Sequence, residues 1–423
     1  MGLLGPGPSG SGSALAAAPV AEAGAGAPVR PVSMTLEQAL ARAESASGLI
    51  RLARAERNAI AAREVGAGIA LPSNPVVAVS VGPRRELAAS AGEVDHRGVA
   101  YALHAEQTLE IAGQRGTRRA EVARAVDVAA WREILARAEI RARVRSVYVG
   151  ALLATAQVRS ARSREELVQQ LVDGVSTRVT SGAASNVELE LARLERGRAV
   201  RDRLRAELAV SVALSELRVL IALDPGTPLD LTSPLASPEP PAALGTLLSW
   251  ARSRRAELRV LEASGATVDA AVVRLRREAL PNPTLFLDLQ RDLPGQLYLG
   301  GGLALPLPMW RRNQGELALA RAERGRLREE EDVTAREIAA EVERAYSTAL
   351  GNAQMVAVVE KEVLPAAETG VDLVTQGWRA GKFDLFRVIQ ASREASDARR
   401  SQLETLGALW EASIAVDRAT GTP

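Results

Sequence analysis

The chain has 423 residues, 47% of them hydrophobic but only 3% aromatic, so a large core must be packed mainly with Ala, Leu and Val, which favours closely packed helices. Charged residues make up 25% and nearly cancel to +2, with Arg and Glu interspersed throughout, which leaves no basic block for nucleic acid. The absence of cysteine excludes disulfides, thiolate metal sites, cysteine nucleophiles and a lipidated N-terminal cysteine.

Residues 1–33, rich in Gly, Ala, Pro and Ser, read as a disordered leader: either the tail of a secretory signal over Ser13–Ala23 that lacks the usual basic start, or a plain low-complexity segment. A first repeat is expected over 34–225. Its opening stretch, 35–70, has a helical pattern and is ended by Leu71-Pro72-Ser73-Asn74-Pro75, because proline lacks the backbone donor and disfavours helical geometry just before it.

Val77, Val79 and Val81 then alternate with Ala78, Ser80 and Gly82, and Val99, Tyr101, Leu103 and Ala105 alternate with Ala100, Ala102, His104 and Glu106. That period of two predicts strands over about 75–82 and 98–109. A proline-free helix is expected over 113–178, with apolar residues at 140, 144, 147, 151, 154 and 158 in steps of three and four, the spacing of a coiled-coil seam. Thr180-Ser181-Gly182 reads as a turn, with Ser185 or Asn186 capping a returning helix over 186–223.

A Pro-rich linker is expected over 226–245, followed by a second repeat over 246–418 and a tail, 419–423. The landmarks recur in the same order at an offset of roughly 200 residues. Helix 246–280 ends at Leu280-Pro281-Asn282-Pro283, and strands are predicted at 284–291 and 297–305, where Leu285, Leu287 and Leu289 alternate with Phe286, Asp288 and Gln290. A helix over 315–376, interrupted only by Pro365, carries the same seam at 335, 338, 342, 345 and 349. Arg379-Ala380-Gly381 is the matching turn, and Asp384 caps the last helix, 384–416.

No run of about 18 apolar residues marks a transmembrane helix, but a barrel would show none. In each hairpin one strand face is aliphatic and the other small or polar, which suits lipid on one side and water on the other; an ordinary sheet packed on a core gives the same pattern. Four strands cannot close a barrel, for which about eight are needed, so membrane hairpins would have to be pooled between chains.

No nucleotide-binding loop, dinucleotide fingerprint, nucleophile elbow or zinc-protease motif is present. Of the two histidines, His96 is expected in the loop of the first hairpin. His104 shares a strand face with Glu106, the face that would carry Asp288 and Gln290 as lumenal lining. No catalytic residue, cofactor or metal site is predicted.

These landmarks resemble the TolC-like outer-membrane efflux family over about 34–418. Met34-Thr35-Leu36-Glu37-Gln38-Ala39-Leu40 is similar to the family's opening, and Leu364-Pro365-Ala366-Ala367 with Gly377-Trp378-Arg379-Ala380-Gly381-Lys382-Phe383-Asp384 to its second periplasmic turn, where Tyr is more usual than Trp378. Leu109-Glu110-Ile111-Ala112-Gly113-Gln114-Arg115-Gly116 and Leu305-Pro306-Leu307-Pro308-Met309-Trp310-Arg311-Arg312-Asn313-Gln314-Gly315 resemble the branch serving heavy-metal exporters of the cobalt-zinc-cadmium and copper-silver type.

The resemblance implies a mainly helical fold with four strands per chain in a trimeric twelve-stranded outer-membrane barrel above a coiled-coil periplasmic tunnel. It implies a passive duct that works with a periplasmic adaptor and an inner-membrane RND pump. Gly113, Gly116, Pro306, Pro308, Asn313 and Gly315 would form the barrel-to-tunnel junction. Gly182, Ser185, Asn186, Gly377, Gly381 and Asp384 would form the periplasmic tip where the adaptor docks. The rival expectations are a duct for drug efflux or type I protein secretion and, from another class, a periplasmic coiled-coil adaptor or scaffold.

Overall fold

The computed structural model describes residues 31–86, 96–292 and 296–422. In chain order the elements are β1 (Val32–Met34), α1 (Leu36–Ala46), α2 (Gly48–Ala67), β2 (Val76–Glu86), β3 (His96–Thr108), α3 (Gln114–Thr180), α4 (Asn186–Leu220) and β4 (Leu229–Leu231), then α5 (Leu244–Arg254), α6 (Ala256–Glu278), β5 (Thr284–Arg291), β6 (Leu297–Ala304), α7 (Gln314–Val358), a π turn (Val359–Val363), α8 (Leu364–Arg379) and α9 (Leu385–Thr420). The order helix, helix, strand, strand, long helix, returning helix occurs twice, so the repeat in the sequence is a repeat in the fold.

The 67 residues of α3 run about 100 Å at 1.5 Å per residue. In the second half the equivalent span is split: Pro365 has no N–H to give and its ring crowds the preceding turn, and the helix widens into the π turn just ahead of it. Helix direction therefore continues from α7 into α8 without a break in the chain path.

Two equivalent places depart from the expected single helices. Both 35–70 and 246–280 are broken in two, at Ser47 (φ −57, ψ 128) and Arg255 (φ −61, ψ 121), where one residue in extended geometry turns the chain. Arg255 is buried there: its guanidinium donates to the Arg418 carbonyl at 2.8 Å and pairs with Glu257 at 2.9 Å and Glu341 at 3.0 Å, while its Nε has no partner among the described residues. Periodicity alone does not register such a break, because the apolar pattern on either side stays helical.

The expected linker 226–245 contains a strand. β4 pairs in parallel with β1, from Val32 opposite Leu229 to Met34 opposite Leu231, which makes six strands among the described residues, not four. Val32 and Ser33, assigned above to the leader, belong to this pair; residues 1–30 of that leader lie outside the described residues. At the other end, Ala419 and Thr420, assigned to the tail, complete α9.

The helical core is divided into clusters. In the first, Ile140, Val144 and Tyr148 of α3 gather Ala39 and Ala43 of α1, with Leu217, Ile221 and Leu229. In the second, Ile338 and Val342 of α7 gather Leu247 and Ala251 of α5, with Ala412 and Val416 of α9, and Tyr346 packs against them. The two clusters are repeat equivalents, built on the same heptad positions, and alanines let the backbones approach closely.

Tyr148, fully buried, ties the first cluster to the strap that joins the halves. Its hydroxyl donates to the Met34 carbonyl at 2.8 Å and lies 3.0 Å from the Ser233 hydroxyl, and the Ser233 N–H reaches it at 3.3 Å. Ser233 in turn accepts from the Leu36 N–H at 3.0 Å, and further along Trp410 donates to the Ala236 carbonyl at 2.9 Å. Tyr148→Phe, which keeps the ring and orphans these partners, is expected to destabilise this region by about 1–2 kcal/mol and to speed limited proteolysis between 226 and 243.

Candidate functional site

The two hairpins lie side by side in one antiparallel sheet of order β2-β3-β5-β6. Thr108 pairs with Thr284 at its base, their hydroxyls 2.9 Å apart, and His104 stands directly opposite Ala78 on one side and Asp288 on the other. β2 and β3 extend past the expected bounds, so that His96, expected in a loop, opens β3 opposite Glu86.

Register fixes what each face carries, because side chains alternate along a strand. One face holds Val77, Val79 and Val81, Val99 and Leu103, Leu285, Leu287 and Leu289, and Leu297, Leu299 and Leu303. Most of these are largely open, Val79 at 69% and Leu299 at 68%, in an apolar surface bordered by Gln107 and Arg291 on the same face and covered by no helix among the described residues. Isolated exposed aliphatics are common on soluble proteins; a whole sheet face of them is not.

The opposite face holds His104, Glu106, Asp288 and Gln290, the four expected lumenal residues, all on one side. His104 Nδ1 lies 2.7 Å from Asp288 Oδ1, and its Nε2 lies 3.5 Å from Glu106 Oε2. Phe286, opposite Glu106, stacks against the His104 ring with centroids 6.2 Å apart. Its own ring covers Gly302, where a Cβ would come within 2.5 Å of it. Near the far rim Arg84 pairs with Asp292 across the hairpins. The sequence pattern placed Phe286 on this face but did not indicate that it would flank the histidine.

At the foot of the sheet both chain entries into long helices use the same device. Gly113 (φ 74) and Asn313 (φ 57) are left-handed and cap α3 and α7 at equivalent repeat positions. The next residues, Gln114 and Gln314, each fold back to accept a backbone N–H, from Ala112 at 3.0 Å and Arg312 at 2.8 Å. Gln114 also donates to Asn282 at 2.7 Å, and Asn313 donates to the Leu275 carbonyl at 3.0 Å, so one entry is tied to the link after α6 and the other to its last turn.

Gly116 and Gly315 have ordinary helical backbone in the first turns, so of the expected junction residues it is Gly113 and Asn313 that turn the chain into the helices. Pro306 and Pro308 lie in the irregular link after β6, where the Pro308 carbonyl accepts from Arg312 at 2.9 Å. That link exposes Leu307, Met309 and Trp310.

At the other end of the long helices the two turns match residue for residue. Gly182 (φ 73) and Gly381 (φ 71) are left-handed; Ala183 N–H bonds the Arg178 carbonyl at 2.7 Å and Lys382 N–H the Gly377 carbonyl at 2.8 Å, the hydrogen bond that closes a helix over a glycine. Ser185 caps α4 in a reciprocal pair with Glu188, and Asp384 accepts from the Arg387 N–H at 2.9 Å. Asn186 is the first helical residue and not the cap. Gly377 lies under the Phe383 ring, with no room for a Cβ.

The two turns are held together by a cluster of Leu171, Val175, Ala192, Leu385, Val388 and Ile389 around buried Trp378. Trp378 sits on Gly174, where a Cβ would come within 2.9 Å of its ring. Glu195 of α4 is buried one turn above, between Arg198 at 2.6 Å, Arg164 of α3 at 3.6 Å and Arg393 of α9. Burial alone pushes the Glu195 carboxyl up, but Arg393 and Arg198 outweigh it and hold it below the usual carboxylate range. Sequence reading missed this site, since a glutamate in an Arg/Glu-rich helix looks like any solvated one.

Comparison with known proteins then places the geometry. Residues 247–422 match the family described as outer membrane efflux protein. The cobalt-zinc-cadmium resistance protein CzcC of Cupriavidus metallidurans is 26% identical over 325 residues, covering 74% of this chain and 75% of that protein. A structure of CusC, solved in connection with its folding and transmembrane channel formation, superposes with a TM-score of 0.73 over 92% of both chains at 16% identity. The outer membrane protein VceC of Vibrio cholerae gives 0.71 over 91% of this chain and 96% of that one at 15% identity. The fold is that of TolC-like channels.

A glutamate held below its ordinary value contributes stability that is complete above that value and is lost as the pH falls through it toward the lower native one. The tip contact among α3, α4 and α9 should therefore be constant near neutrality and loosen only in acid. Glu195→Gln, which leaves three arginines facing a neutral amide, is expected to cost about 2 kcal/mol at neutral pH and to flatten that acid limb in thermal melts followed between pH 7 and 3.

Proposed function

With residues 247–422 matching the outer membrane efflux protein family and the fold that of TolC-like channels over 92% of the chain, we propose that three copies close into the exit duct of a tripartite efflux system for heavy-metal cations. The protein lies in the outer membrane with its helices extending into the periplasm. It acts as a passive conduit, and the energy for transport comes from an inner-membrane RND pump reached through a periplasmic adaptor.

The observation that carries this reading is the sheet: four antiparallel strands with an apolar face open to the outside, a polar face opposite, and edge strands β2 and β6 with no neighbour among the described residues. In hydrocarbon an unpaired edge costs several kcal/mol per backbone group, so such a sheet must close. Successive strands alternate in direction, hence β6 of one copy meets β2 of the next antiparallel, and three copies give twelve strands. Trp310, open at the junction on the periplasmic side, is placed where an aromatic belt sits.

Metal cargo is supported by the likeness to CzcC, which covers three-quarters of both chains. Adaptor docking at the tip is supported by its repeat symmetry. Beyond the caps Ser185 and Asp384, Val187 and Phe386 occupy equivalent positions and are exposed at 69% and 65%, beside Gly182 and Gly381. Docked adaptor helices would cover both residues. A coiled-coil scaffold, by contrast, gives the apolar sheet no role.

The direct test is cross-linking of protein extracted by detergent from an outer-membrane fraction, where trimers are expected; a soluble monomer or dimer overturns the duct. Leu287→Arg puts a charge on the apolar face at each of three positions in the barrel, about 2–4 kcal/mol apiece near the midplane, and should abolish insertion while most helix signal persists.

A further inference from the structure

We propose that His104 and Glu106 form a transit seat for a divalent transition-metal or zinc-group cation on the inner face of the barrel, with Asp288 orienting the imidazole. The proposal rests on the duct reading in one respect, that this face of the sheet lines the lumen.

His104 and Glu106 are two residues apart on β3 and so share a face, while register brings Asp288 of β5 directly opposite His104. The 2.7 Å contact from His104 Nδ1 to Asp288 Oδ1 assigns the proton to Nδ1, because a carboxylate can only accept. Nε2 is then the ring nitrogen left for a metal, 3.5 Å from Glu106 Oε2, and an ion that binds there displaces any proton it carries.

That distance is too long for a good hydrogen bond but suits a chelate. A zinc-like ion holds imidazole nitrogen at about 2.0–2.1 Å and carboxylate oxygen at about 2.0–2.2 Å, and two such ligands at a tetrahedral angle stand about 3.4 Å apart. The ion fits between the two groups with little movement. Asp288 then plays the outer part of a carboxylate–histidine–metal arrangement, which fixes the tautomer and makes the ring a better ligand.

The seat is half-exposed, with His104 and Glu106 side chains open at 37% and 41%, so water can complete the coordination. Phe286 packs beside the imidazole and limits its swing. Mixed imidazole and carboxylate donors prefer cobalt, nickel, zinc or cadmium over magnesium and calcium, which take oxygen ligands. Two protein ligands give weak binding, as passage requires: an ion must be able to enter and to leave. Three seats would ring the lumen at one height.

The test uses the purified full-length protein in detergent, titrated with cobalt(II) and followed by its visible d–d absorption, with zinc added to displace it and magnesium as control. Saturable cobalt binding is expected, reversed by zinc and untouched by magnesium. Glu106→Gln and His104→Asn should abolish it, and Asp288→Asn should weaken it about tenfold or more without abolishing it.

Cross-linking of the same samples separates the two readings. A trimer that binds no cobalt, or binds it equally well as His104→Asn, overturns the seat and leaves the duct standing. Cobalt binding with the predicted variant pattern in protein that does not form trimers supports the seat and overturns the duct. If Asp288→Asn binds as tightly as the parent, the orienting role is wrong.

Discussion

An antiparallel sheet of four strands that presents aliphatic side chains outward has two free edges, and everything else in this chain is arranged around closing them. In water those edges would be solvated; against lipid each free N–H and C=O is left without a partner. A single copy cannot bend four strands into a closed cylinder, since the smallest closed barrels have about eight. Closure therefore belongs to the assembly, and the folded chain is an intermediate in the physical sense: its helices can pack alone, but its sheet is complete only between copies.

The duplication explains how this is achieved with so little aromatic residue. Each half repeats one solution, in which a short helix pair lies against a long helix through Ala39 and Ala43 or Leu247 and Ala251 on the heptad faces of α3 and α7. The long helix begins at a left-handed residue and ends at a left-handed glycine in both halves. Departures from symmetry fall where the halves meet different surroundings. Tyr148 is sealed beneath the β1–β4 strap, whereas Tyr346 is only partly buried, and the π turn before Pro365 has no counterpart in α3.

Much of this was legible in the sequence because its signals are local. Alternation over 284–291 and the proline pairs at 72–75 and 281–283 state strand, boundary and face without reference to anything distant. The β1–β4 pair was not legible: three residues are too few to show a period, and the partners are almost two hundred positions apart. The breaks at Ser47 and Arg255 were hidden for a different reason, since each is one residue of backbone geometry inside an unbroken helical pattern. Among the junction residues, Gly113 and Asn313 were both named, but the left-handed backbone of Asn313 was not legible, because an asparagine takes that conformation only by context.

The polar face of the sheet shows the same divide between residue and arrangement. That His104, Glu106, Asp288 and Gln290 share a side follows from parity along each strand, but the pairing of His104 with Asp288 depends on the register between two hairpins separated by α3, α4, β4, α5 and α6. Register turns a scatter of polar lining residues into an oriented imidazole with a carboxylate beside it. It also sets the electrostatics of the passage. With Asp288 and Glu106 flanking the imidazole, a duct closed from three copies as proposed would repeat the same pair of carboxylates three times at one level, a lining that favours cations. A site with more ligands at that level would retain its cargo; a chelate of two side chains and water releases it outward once concentration falls.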